Sequence, residues 1–203
     1  MTALARGSRL LFATHNEGKV EEVRELLAPF GVTVVSAADL GLPIPEETEA
    51  SFRGNAALKA LAALRATGLA ALADDSGLCV DALCGEPGVR TADWAEGPGG
   101  RDFMRAMRKT HRMVTEVGAP EPWIATFHCV LAFAAPGRDV EFFEGRVDGR
   151  LVWPLRGDRG HGYDPMFVPD GREKTFAEMT HAEKNALSHR GRALEAFRIR
   201  CFT

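Results

Sequence analysis

Short apolar runs alternate along this chain with stretches of helical spacing. Residues 9–14, "RLLFAT", form an apolar run that predicts a buried strand. From Glu17 the period changes: Val20, Val23, Leu26, Leu27 and Phe30 share one helical face, and Pro29-Phe30-Gly31 ends it. Residues 32–36 predict a second strand, so the chain opens as strand, helix, strand, for which parallel pairing is expected. The loop "GLPIPEETE" leads to an Ala- and Leu-rich helix over residues 51–67, stopped by Gly68. A strand over residues 69–73 then ends in two adjacent carboxylates, Asp74 and Asp75, and "LCGEPGVR" reads as a loop marked by glycine and proline.

The second half repeats the alternation. A helix over residues 101–117 is expected to bury Phe103, Met104, Met107 and Val114, and residues 123–135 predict a long central strand. "PGRD" turns that strand into "VEFFEGRV", expected to lie antiparallel to it. "RGDRGHGYDP" is a glycine-rich loop. "THAEKNALSHRGRALEAF" closes the chain as one helix, opened by the capping-box spacing of Thr180 and Glu183. The fold class that follows is α/β, a long mixed β-sheet flanked by helices.

Composition narrows the picture. The chain's 203 residues, 45% of them hydrophobic, suit one domain over residues 1–203, or one domain of two lobes. A net charge of −3 gives no overall basic field for a nucleic acid polymer or a membrane surface. Four cysteines without a CxxC pair read as buried thiols in a reducing compartment. No apolar run approaches the ~20 residues of a membrane span, and "MTALARGSRLLFATHNEG" shows no signal-peptide pattern. A cytoplasmic protein is expected.

Five segments carry candidate chemistry. In "FATHNEGKVEEV" a strand ends at Thr14, Asn16 caps a helix, and Lys19 sits in the first turn. Helix N-termini gather unpaired N–H groups and suit an anion, although an ordinary capped helix reads the same way. In "PEETEASFRGNAALKA" three glutamates precede a helix on which Asn55 and Lys59 share a face, and a solvated acidic loop is the plainer reading. Two ionised carboxylates side by side repel unless a cation offsets them, so Asp74 and Asp75 are either a solvated turn or part of a site for a hard cation such as Mg²⁺. "GHGYDPMF" mixes flexible glycines with aromatic surface, a way to shape a pocket for a flat ring. "EKNALSHRG" offers Lys184, Ser188, His189 and Arg190 together. The basic stretch "RDFMRAMRKTHR" alternates charges with apolar residues at helical spacing, which reads as a solvated helix face. Neither a Ser–His–Asp order nor zinc spacing is present.

Each signal is weak alone, but their order is not. The succession "FATHNEGKVEEV", "EETEASFRGNAALKA", "ADDSGLCVDALCGEPGVRTADW", "FHCVLAF", "GHGYDPMF" and "EKNALSHRGRAL" resembles the Ham1/RdgB family of inosine triphosphate pyrophosphatases, over about residues 10–197. The resemblance implies two α/β lobes with a central cleft, a homodimer, Mg²⁺ as cofactor, and hydrolysis of ITP, dITP and XTP to monophosphate and pyrophosphate. Matched residue by residue, it implies that Thr14, His15, Asn16, Glu17, Gly18 and Lys19 hold the triphosphate, and that Asp75 is proton acceptor and metal ligand. Glu46 is assigned as the metal-binding glutamate, with Glu47 the alternative because the register of "EET" is open. Lys59, Ser76, His161, Gly162, Tyr163, Asp164, Lys184, His189 and Arg190 are implied as substrate contacts. His15 stands where glycine is common, and His161 where an aromatic such as Phe is usual. The rival readings are a pyrophosphatase for another nucleotide, as in the related Maf-type enzymes, and a nucleotide- or RNA-binding regulator without catalysis.

Overall fold

The computed structural model describes residues 4–202. Its elements follow in chain order as β1 (Arg9–Phe12), α1 (Glu17–Leu27), β2 (Thr33–Ser36), α2 (Phe52–Thr67), β3 (Ala71–Val80), α3 (Phe103–Glu116), β4 (Trp123–Ala134), β5 (Glu141–Leu151), β6 (Phe167–Pro169), α4 (His181–Leu187) and α5 (His189–Phe202). The strands form one sheet in the order β2-β1-β3-β4-β5-β6. β1 runs parallel to β2 and β3, whereas β5 and β6 are antiparallel, so the sheet is mixed as the pattern predicts. No described helix is long and apolar enough to cross a membrane.

Two compact units divide the chain. The first holds residues up to 75 with 129–144 and the stretch from 193. Here period-two alternation sorts the strands between two helical layers. Leu10, Phe12, Leu72, Leu131 and Phe133 face the layer of α1 and α5, where Val20, Val23 and Phe197 are buried. The residues between them face α2: Leu11 and Ala71 pack with Ala63, while Ala73, Val130 and Ala132 pack with Ala56 and Ala60. Small residues on that face let α2 lie close to the sheet.

The second unit holds residues 76–128 and 145–192. Its core joins Leu78 and Val80 of β3, Ala125 and Phe127 of β4, and Met107 and Val114 of α3 with Tyr163, Phe167 and Phe176. Phe127 meets Phe167 edge-on with centroids 4.7 Å apart, the arrangement the ring quadrupoles favour.

Four expectations change. β3 does not stop before the carboxylates but runs on through Asp74, Asp75, Ser76 and Gly77. β1 pairs with β3 only as far as Leu72, so β4 is the neighbouring strand over Asp74 to Gly77, and sheet pairing there outweighs the turn preference of Asp, Ser and Gly. The closing helix is two helices. Ser188 is extended (φ −66°, ψ 153°), and its hydroxyl accepts from the Gly191 amide, so it caps a new start. Met104 is exposed rather than buried, because the inward face of α3 runs through Ala106, Met107, Thr110 and Val114. Of the cysteines only Cys129 and Cys201 are buried, while Cys84 is exposed in a turn.

Candidate active site

The first unit places its charged groups where β1 gives out. Phe12 pairs with Leu72, and β3 continues past that point while the neighbouring chain becomes the loop into α1. Asp74 continues the face of Leu72 and points toward α1; Asp75 continues the face of Ala73 and points toward α2. Successive side chains on a strand project to opposite faces, so the two carboxylates pair with different lysines, although Lys59 also feels the charge of Asp74. The Lys19 ammonium donates to Asp74 Oδ2 at 2.7 Å, and the Lys59 ammonium lies 3.8 Å from Asp75 Oδ1. Burial is 3% exposed for Asp74 and 6% for Asp75, so neither is a solvated turn residue.

The loop before α1 is held by its own side chains. Asn16 Oδ1 accepts from the Lys19 amide, the N-cap bond expected from the sequence, and Thr14 Oγ1 accepts from the Asn16 amide. The His15 ring bonds the Leu42 carbonyl at 2.9 Å, and because a carbonyl only accepts, Nε2 must carry the proton. Glu17 and Gly18 are exposed in the first turn. Thr14 to Lys19 thus present a helix N-terminus directly beside Asp74.

On the other face α2 supplies Asn55 and Lys59. Lys59 is bound by Glu47 Oε1 at 2.6 Å, and Asn55 Nδ2 donates to Asp75 Oδ2 at 3.1 Å. Burial alone would lower the Lys59 pKa, but Asp74, Asp75 and Glu47 together outweigh it and raise it. Burial pushes the Asp75 carboxyl up to about 6, against the opposing pull of Lys59 and the Asn55 hydrogen bond. Glu47, not its neighbour Glu46, is the glutamate whose carboxylate bonds Lys59.

Among the described residues no cluster of three His, Cys, Asp or Glu side chains forms a ready metal cage. Mg²⁺ does not need one, since it binds through one or two carboxylates plus waters and phosphate oxygens. The donor set fits. Asp75 and Glu47, both drawn to Lys59, supply two carboxylates, hard oxygen ligands on one face of β3, whereas Asp74 faces Lys19 on the other.

The second unit gathers the other implied residues. Asp164, 3% exposed, accepts from both the Lys184 ammonium and the His161 amide. Gly160 makes the return possible: its φ is +72°, and a Cβ there would lie 2.1 Å from Asp164 Oδ2. His161 is exposed and Gly162 adopts a positive φ of 71°. Tyr163 is 1% exposed, its hydroxyl 3.4 Å from Thr110 and its ring edge-on to Phe103, so it anchors the loop in the core. Burial raises its phenol to about 12, which keeps it neutral. His189 lies flat against Phe127 (4.8 Å between centroids, 8° between planes), and Arg190 is buried beside it in the first turn of α5. Ser76 is half-buried on β3.

Sequence reasoning noticed Asn55 on the Lys59 face of its helix but assigned it no role, and it singled out neither Thr110 nor Phe127. The signal for Asn55 is a polar residue at i−4 from Lys59 in an Ala-rich helix. The basic stretch on α3 is occupied locally: Arg101 pairs with Glu96, Arg105 bonds the Glu96 carbonyl, and Lys109 lies 3.9 Å over the Trp94 ring.

Residues 10–199 match the model of the Ham1 family. A dITP/XTP pyrophosphatase of Ruegeria pomeroyi is 57% identical over 202 residues, spanning 100% of this chain and 99% of that protein. One from Gluconobacter oxydans is 55% identical, over 99% of this chain and 94% of the relative. Among solved structures, a HAM1 protein from Coxiella burnetii aligns with a TM-score of 0.88 at 34% identity, covering 95% of this chain and 97% of the other. The chain belongs to the Ham1 family.

Proposed function

We propose that this protein hydrolyses the non-standard purine nucleoside triphosphates ITP, dITP and XTP to the monophosphate and pyrophosphate, removing them from the nucleotide pool. The observation that carries the reading is the split carboxylate pair: Asp74 and Asp75 on opposite faces of β3, each against a lysine, beside the N-terminus of α1. The relatives named dITP/XTP pyrophosphatase support the same substrate class.

In this reading water attacks the α-phosphorus, its oxygen forms the new P–O bond, Asp75 takes the proton, and the bond to the β-phosphate oxygen breaks. Charge grows on the departing pyrophosphate, and Lys19 and Lys59 offset it, helped by the amides at the start of α1. Asp75 and Glu47 would hold Mg²⁺, with Glu46, the neighbour of Glu47, as the other candidate glutamate; when bound, that ion would neutralise phosphate oxygens and align them. Lys184, His189 and Arg190 bind the base, with Asp164 fixing Lys184. The setting is the cytoplasm, and the assembly a homodimer. Pyrophosphate release from a panel of nucleotides with Mg²⁺ tests the activity, and sedimentation tests the dimer. Release from none of the purine triphosphates would remove the reading.

Lys19 has two duties in this scheme, and they separate. Lys19→Ala should lower kcat/KM for ITP about 10², the scale of losing one oxyanion-type donor, and should lower Tm by stranding the buried Asp74 charge. Adding Asp74→Asn should restore Tm without restoring kcat/KM. Recovery of both would mean that Lys19 serves only to neutralise Asp74.

A further inference from the structure

Asn55 is a polar side chain 1% exposed at the end of the first turn of an Ala-rich helix. Burying an amide is costly unless its groups are satisfied. Both ends are. Oδ1 accepts from the Glu49 backbone amide at 2.9 Å, and Nδ2 donates to Asp75 Oδ2 at 3.1 Å. The flipped amide would set an NH₂ against an N–H and an oxygen against a carboxylate, so only one orientation is compatible with both partners.

The two partners are different parts of the site. Glu49 belongs to the acidic loop that carries Glu46 and Glu47, and Asp75 belongs to β3. The loop lies hard against the start of α2: a Cβ on Gly54 would come 2.6 Å from the Glu49 Cβ, which leaves glycine the residue that fits. Lys59, one turn beyond Asn55, also spans loop and strand, through Glu47 and Asp75. Its four-carbon stem is flexible and its ammonium a point charge, whereas the Asn55 amide is short and directional. Of the two bridges only Asn55 dictates an orientation.

We propose that Asn55 is a positioning residue, the buried amide that sets the Asp75 carboxylate and the Glu46–Glu47 loop in one fixed register. It touches no reacting atom and acts through Asp75. The inference rests on the reading of Asp75 as the base. A misplacement of about 1 Å in a reacting group costs about 10² in rate, so the register matters to turnover.

Two substitutions separate the arms. Asn55→Leu has nearly the same shape and no hydrogen-bonding group. It should lower kcat for ITP about 10² with KM changed only a few-fold, and should speed amide hydrogen exchange of residues 46–50 at least ~10-fold as the loop loses its tether. Asn55→Asp keeps the acceptor for the Glu49 amide but not the donor to Asp75. Its loop exchange should stay near wild type while kcat falls as far as in the leucine variant. A plain structural role predicts otherwise: lower Tm in both, with kcat per folded molecule near wild type, and that result overturns the proposal. So does unchanged loop exchange in the leucine variant. If the leucine variant does not fold, the aspartate variant decides alone, and normal kcat in it overturns the assignment. Should the wild-type protein release no pyrophosphate from ITP, the functional reading fails, and the exchange contrast between the two variants still judges the clamp.

Discussion

Asp75→Asn lowers turnover of ITP by ~10²–10⁴, the usual worth of a general base. The substitution preserves shape and removes the one carboxylate that faces both Lys59 and Asn55. An amide accepts no proton from water and offers a metal ion no charge. Stability should not fall with activity, because burial already disfavours the charged form of Asp75 in the folded protein. The measurement is kcat for pyrophosphate release at saturating Mg²⁺, with Tm from thermal denaturation alongside. A folded variant with near-normal turnover shows that another group takes the proton.

The second large effect is selection of the base. Hypoxanthine and xanthine carry a carbonyl at C6, where adenine carries an amino group. Lys184 on α4 and Arg190 at the start of α5 bring cationic donors, and Asp164 Oδ2 accepts from both the Lys184 ammonium and the His161 amide. With the His161 amide bonded to Asp164, Lys184 and Arg190 are the donors proposed for the base. A C6 carbonyl pairs with such donors, while an adenine amino group points N–H at N–H. Sites built around a specific hydrogen bond discriminate by ~10⁴ or more, so kcat/KM for ITP and XTP should exceed that for ATP by at least ~10². GTP shares the carbonyl, and its exclusion depends on the 2-amino group, for which the structure names no residue. Initial rates for each nucleotide at equal Mg²⁺ give the ratios. Comparable rates for ATP and ITP would falsify the donor argument and the pool-cleaning role together.

Much of the fold follows from pattern alone, because local forces set it. The caps at Asn16, Ser51 and Thr180 use side chains within three residues of the amides they satisfy. Strand–helix–strand spacing foretells the parallel start of the sheet, and the apolar run of β4 foretells a central strand. Where the reading failed, a particular partner had overruled the preference suggested by composition. "DDSG" has the composition of a turn, yet lies within β3, whose neighbour beyond the end of β1 is β4. "NALSHRG" has the composition of a continuous helix, yet breaks at Ser188, whose hydroxyl caps the next helix at Gly191.

The same division runs through the site. The residues themselves and their order along the chain were determined by the sequence, which is why the family could be recognised from six short segments. Which of them meet was decided by tertiary structure. The puzzle of two adjacent carboxylates dissolves only when Asp74 and Asp75 are seen on a strand, where alternation sends one to Lys19 and the other to Lys59. The register of "EET" was open for a related reason: a loop has no period, so only its docking on α2 selects Glu47 for Lys59. Asn55 is the clearest case, because its partners lie six residues before it and twenty after it, and no local rule relates all three. Short-range geometry is written in neighbouring residues, whereas the pairing of charges across a sheet depends on which chains the hydrophobic core has already brought together.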